Sequence, residues 1–267
     1  MRSKLFFNEF LYQVFTLIIA TIIVHAIWVT SIRPRAAEVL EEQKIRLQQE
    51  EGYSPPQDFY VIMKDYEQES CIILMLWAFA ILAYKAKVVF RERALLQQDL
   101  LQVREGVKIL PEDSREYARA LQALPEDTRK LLLPRVLQAS LARFGTTRNI
   151  QDVSSVNTTL CDSESAKLES ELAMIRYIAW AIPSIGFIGT VRGIGGALSQ
   201  AHRAVEGDIS GVTENLGVAF NSTLVALLIS IVLMFIIHQL QLMQERLGQE
   251  TQQYVESHLI RHMQARD

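Results

Sequence analysis

Between Leu11 and Thr30 the chain runs for 20 residues without a formal charge. As an α-helix this run is about 30 Å long, the thickness of a bilayer's hydrocarbon core. Three further apolar runs follow. Cys71 to Tyr84 has 14 residues, long enough to cross if Lys85 and Lys87 reach out to the headgroups. Ile175 to Leu198 carries Arg176 and Arg192, and Leu216 to Ile237 is uncharged over 22 residues. Densely charged stretches separate these runs, a segregation that one water-soluble core cannot accommodate. The net charge of −3, with no basic tail, leaves no footprint for nucleic acid. The pattern predicts an all-α membrane protein with four transmembrane helices and long helical extensions.

Lysine and arginine beside spans tend to stay in the cytoplasm. Arg2 and Lys4 precede the first span, Lys85, Lys87, Arg91 and Arg93 follow the second, and 33–70 holds five basic against nine acidic residues. Both termini are therefore expected inside. The division that follows is 1–32, N-terminal end and first span; 33–70, outer segment; 71–90, second span; 91–172, inner helical region. It continues with 173–200, third span; 201–214, outer link; 215–240, fourth span; 241–267, inner tail. The first run lacks a small-x-small cleavage site at its exit, "HAIWVTSIRPR", and reads as a retained anchor. Cys71 and Cys161 fall on opposite sides of the membrane in this topology, which excludes a disulfide between them.

The outer segment predicts a helix from about Pro34 to Glu51, a break at "GYSPP", and a second helix rising through "DFYVIMKDYEQES" into the second span. Inside, "LPED" at 110–113 and 124–127 places a proline and two acids where a helix N-terminus favours them. Gly145 with Thr146 and Thr147 marks another break and cap, and "SESAKLESELAMIRYIAWAIP" runs unbroken into the third span.

Zinc-spaced His/Cys clusters, phosphate-binding loops and hydrolase signatures are missing, and "GTVRGIGG" lies in an apolar run with no strand before it. Nothing points to an enzyme or to a bound cofactor or metal. The third span instead places Pro183, Gly186, Thr190, Gly193 and Ala197 on one stripe, flanked by Gly189 and Gly196. The fourth repeats the device with Ala219, Thr223, Ala226 and Ser230. Such stripes let membrane helices approach closely, and their hydroxyls equally suit the wall of a pore. Both readings stay open on composition alone.

Two motifs add a resemblance. "AIPSIGFIGTVRGI" at 181–194 resembles the proline-led span of the MotA/TolQ/ExbB proton channel family, A-x-P-x-x-G-x-x-G-T-V-W-G-I. "VTENLGVAFNSTLVALLIS" at 212–230 is similar to that family's last span, and "AKLESELAMIRYIAW" to the charged helix before the pair. Arg192 stands where the pattern has tryptophan, and Ala226 where it has glycine. The two spans before the pair are more like MotA, "GFIGTV" is closer to ExbB and TolQ, and the outer segment fits none of them.

The resemblance implies a homopentameric ring in the bacterial inner membrane, the stator-like part of a rotary motor passing H⁺ or Na⁺. It implies a single-span MotB/ExbD/TolR-like partner bearing a membrane aspartate. Thr190 and Thr223 match the family's pore threonines, with Ser230, Ala219 and Ala226 beside them. The apolar runs themselves contain no Asp or Glu, so the ion-binding carboxylate has to come from the partner. Arg192 lies about 9 Å below the outer end of its span. It can snorkel outward toward Glu206 or Asp208, pair with a neighbouring subunit, or line the pore. His25 reads as a structural histidine rather than a proton relay. The alternative function is a non-conducting scaffold that assembles through the small-residue stripes.

Overall fold

The computed structural model describes residues 2–49, 53, 55–103 and 106–264, and every regular element among them is helical. Helix α1 (Arg2–Ile27) passes through a π-helical turn (Trp28–Ile32) into α2 (Arg33–Gln49). Helices α3 (Phe59–Met63) and α4 (Tyr66–Leu96) follow, then α5 (Ser114–Gln122), α6 (Glu126–Arg129), α7 (Leu132–Thr147) and α8 (Ile150–Glu171). The chain continues through α9 (Ala173–Ser199), the short α10 (Ala201–Val205) and α11 (Ser210–His258), and a 3₁₀ turn (Ile260–His262) ends the described helices. Four of these stretches are long and apolar enough to cross a membrane, which makes this a multi-pass membrane protein.

Several boundaries differ from the sequence reading. Helix α2 is continuous with the first span through the π turn, and the "GYSPP" break falls partly outside the described residues. The helix rising into the second span breaks at Lys64 and Asp65, so that α4 starts at Tyr66 and takes Glu67 and Glu69 into its first turn. Gly145 lies inside α7. The helix stops at Arg148, which adopts the left-handed conformation, and Asn149 caps α8 by accepting from the Gln151 amide at 2.8 Å. Residues 241–258 continue α11, which runs unbroken for 49 residues to His258.

Two compact units divide the chain, Met1–Ala83 with Met174–Ile237 and Tyr84–Ala173 with His238–Asp267. The first unit holds the apolar runs. Among the described residues from α1 into α2, a narrow stripe is buried: Ala20, Val24, Trp28, Ile32 and Ala36, four residues apart. Each such step overshoots a 3.6-residue turn by about 40°. The wider π turn at Trp28–Ile32 absorbs that drift. The opposite face, with Phe15, Ile18 and Ile22, is exposed, as a lipid-facing surface requires. Antiparallel packing of α1 on α4 is pinned by Tyr12 Oη to the Ala80 carbonyl (3.2 Å) and Trp77 Nε1 to that of Gln13 (2.9 Å). Trp28 Nε1 donates to the Met63 carbonyl at 2.8 Å, tying α3 to the π turn.

The second unit is a helical body of ordinary globular character. Its core is built on α7, which buries Leu133, Val136, Leu137, Leu141 and Phe144 along one face. Leu131 precedes α7 and offers no capping side chain. Glu92 of α4 takes that role, both carboxylate oxygens accepting from the Leu132 amide at 2.9 and 2.8 Å. Arg93 forks onto Glu250 of α11, and Lys85 pairs with Glu171 at 2.7 Å. Tyr254 Oη donates to the Gln98 carbonyl and accepts from the Leu100 amide. Ile109 bonds to His262 and Gln264 at both sides of its peptide. Cys71 and Cys161 are both free thiols and both buried.

Candidate pore seam

Helices α9 and α11 lie antiparallel, in a contact only small residues allow. A Cβ on Gly186 would stand 2.6 Å from the Ala226 Cβ, and one on Gly193 would stand 2.6 Å from the Ala219 amide nitrogen and the Asn215 carbonyl. Gly189 faces Ser222 and Gly196 faces Asn215 at comparably tight approach. Ala197 is buried beyond them. Ala219 and Ala226, which the sequence groups with the pore wall, have no exposed surface and fill the seam itself. Thr190, Thr223 and Ser230 are half-buried.

The two threonines meet at the centre of this seam. Their hydroxyls contact each other directly. Thr190 Oγ1 also reaches the carbonyls of Ala219 (3.1 Å) and Gly186 (3.3 Å), and Thr223 Oγ1 the same two at 3.3 and 3.1 Å. The pair belongs to a small polar knot of three hydroxyls and two carbonyls, because buried Ser222 also donates to the carbonyls of Gly186 (3.4 Å) and Ala219 (3.1 Å). Each hydroxyl can donate or accept and turns without moving its carbon skeleton.

Pro183 sits inside α9 and leaves the Ala179 carbonyl without its helical donor. Ser230 of α11 supplies one, Oγ to the Ala179 oxygen at 3.3 Å. In lipid no water can take that place. One turn away, Cys71 of α4 points its thiol at the Ile182 carbonyl, 3.7 Å off.

Arg192 pairs with α4 and not with Glu206 or Asp208 of the link after α9. Its guanidinium forms a planar fork with Glu67 of α4, Nε to Oε1 and Nη2 to Oε2 both at 2.8 Å. Asp65 stands 3.8 Å from Nη2 and is itself held by Lys64 at 3.2 Å. The Arg192 side chain is 49% exposed, Glu67 only 9%. Glu67 continues inward until its Cγ lies 3.0 Å from where a Cβ on Gly189 would be. A bare arginine at mid-membrane costs about 2.5–3.5 kcal/mol, and a bidentate carboxylate is its best available compensation. The residues for this were missed in the sequence because the second run was started at Cys71. Glu67, Cys71, Ala78, Ile81, Lys85 and Val89 are all buried, a helical stripe that extends to Glu67 once the helix is begun at Tyr66.

A second carboxylate, Glu69, is bridged by His25 Nδ1 at 2.6 Å and Arg33 Nη2 at 2.5 Å. Arg33 also covers the Tyr66 ring, 4.3 Å from its centroid. His25 therefore joins α1 to α4.

The seam lies within the stretch, residues 129–253, that matches the model of the MotA/TolQ/ExbB proton channel family. This stretch belongs to that family. No curated protein and no solved structure matches the chain. The MotA/TolQ/ExbB stretch takes in α7, α8 and α9 and most of α11, with both threonines, Pro183 and Ser230. Helices α1 to α4 precede it, so the Arg192–Glu67 fork joins a residue of the MotA/TolQ/ExbB stretch to a carboxylate outside it.

Proposed function

We propose that this chain is the channel-forming, stator-like subunit of a membrane motor driven by ion-motive force. Five copies form a ring around a dimer of a single-span MotB/ExbD/TolR-like partner whose membrane aspartate carries H⁺ or Na⁺. The ring sits in the bacterial inner membrane with both termini cytoplasmic, as the clusters of Lys and Arg at the N-terminus and after the second span favour. The observation that carries this reading is the Thr190–Thr223 knot inside the family stretch. It is a pair of rotatable hydroxyls on two adjoining spans, able to hand hydrogen bonds to a passing ion, a water or a partner carboxylate.

The need for a partner follows from the chain's own acids. Glu67 and Glu69, at the start of α4, are held by Arg192 and by Arg33 with His25, so neither is free to take up and release an ion. One charge crossing about 100 mV releases about 2.3 kcal/mol, enough to drive a step. The alternative, a non-conducting scaffold, has less support. Its small-residue stripes already pack α9 on α11 within one chain and are not free to join chains.

The test is reconstitution of the chain with its co-purifying single-span partner in vesicles under an imposed potential, with an internal pH dye or a Na⁺ dye. Ion flux that stops when the partner's membrane aspartate is replaced by asparagine supports the reading. An assembled complex that passes neither ion overturns it.

A further inference from the structure

We propose that Glu67 is a specificity-determining residue of this channel: its carboxylate cancels the charge of Arg192 beside the threonine knot and so keeps that path open to cations. The inference rests on the channel reading above and goes beyond it, because Glu67 lies outside the family stretch. Arg192 is two residues from Thr190 on α9, and Glu67 packs against Gly189, the residue next to Thr190. At an effective dielectric of about 20, a full positive charge slows a cation that passes about 8–12 Å away roughly 10- to 30-fold. With the fork closed, the same guanidinium presents only a dipole.

The local charges balance only with Glu67 present. Lys64 is matched by Asp65 at 3.2 Å, and Glu69 is matched by Arg33 and His25. Asp65 stands 3.8 Å from Arg192, against 2.8 Å for both contacts from Glu67. Neutralising Glu67 therefore leaves one uncancelled positive charge at the level of the knot. Neutralising Arg192 leaves no uncancelled positive charge and one negative, the Glu67 carboxylate, which does not repel a cation. A mere mechanical clamp between α4 and α9 would lose as much from either change, and this asymmetry separates the two roles.

The experiment measures proton flux per assembled complex for the full chain with its partner in vesicles, assembly being read by size-exclusion chromatography. The parent is compared with Glu67→Gln, Arg192→Gln and the double substitution. Glu67→Gln is expected to conduct about 10- to 30-fold less, Arg192→Gln to conduct within about twofold of the parent, and the double substitution to regain parental flux. Should Glu67→Gln fail to assemble, parental flux in Arg192→Gln and in the double substitution supports the proposal. Loss of flux in either overturns it. Parental flux in Glu67→Gln also overturns it, and so does a double substitution that stays as slow as Glu67→Gln. An inactive parent complex overturns the channel reading and this proposal together, and is recognised before any variant is compared.

Discussion

Ser230 donates its hydroxyl to the carbonyl of Ala179, the acceptor that Pro183 strips of its helical partner four residues on. A proline in one span is thereby answered by a serine in the next, and the antiparallel register of α9 on α11 is set by a hydrogen bond as well as by shape. Ser230→Ala leaves that carbonyl unpaired inside the membrane, and a loss of about 1–2 kcal/mol is expected, read as a lower melting temperature in detergent. In a Pro183→Ala background the helix can pair the carbonyl itself, so Ser230→Ala should then cost little. Equal losses in both backgrounds would refute the coupling.

Close approach at Gly193 makes a second prediction. Its missing side chain is replaced by the backbone of Ala219 and Asn215, which cannot swing aside as a flexible side chain could. Gly193→Ala should destabilise the chain by about 1–3 kcal/mol. Gly195, two residues on, has nothing within 4 Å of where a Cβ would stand, and Gly195→Ala should be neutral or stabilising by up to about 1 kcal/mol through helix propensity. Thermal melts of the two variants side by side make the comparison.

Valine keeps the shape of threonine and removes its hydroxyl. Thr190→Val and Thr223→Val should each leave the complex assembled and lower ion-driven flux by about tenfold or more, because either change opens the hydroxyl knot. Thr159, whose hydroxyl only bonds back to Ser155 within α8, is the control, and Thr159→Val should conduct normally. Parental flux in both span variants would remove the threonines from the path and favour the scaffold.

Topology is open to direct labelling. Gln57 and Ala120 are both exposed, whereas the native Cys71 and Cys161 are buried and give little background. In intact cells an impermeant maleimide should label Gln57→Cys and miss Ala120→Cys. The opposite pattern would invert the assignment of inside and outside.

The four spans, the helical class and the family were legible in the sequence because each depends on a property that survives without coordinates. An uncharged run of 20 residues has one economical solution in lipid, and small residues three and four apart share a helix face whatever that face meets. Thr190, Thr223 and Arg192 could be singled out on that basis. The partners of those faces were decided by tertiary structure alone. Sequence spacing shows that Arg192 is a charge near the C-terminal end of a span, yet not that Glu67, 125 positions earlier, lies beside it. It shows a serine on the stripe of the fourth span, yet not that this serine meets the carbonyl freed by Pro183. The reason is physical: periodicity reports the direction a side chain takes from its own helix axis, whereas a contact between helices depends on their register and separation. Those are set jointly by every small residue, fork and hydrogen bond along the seam.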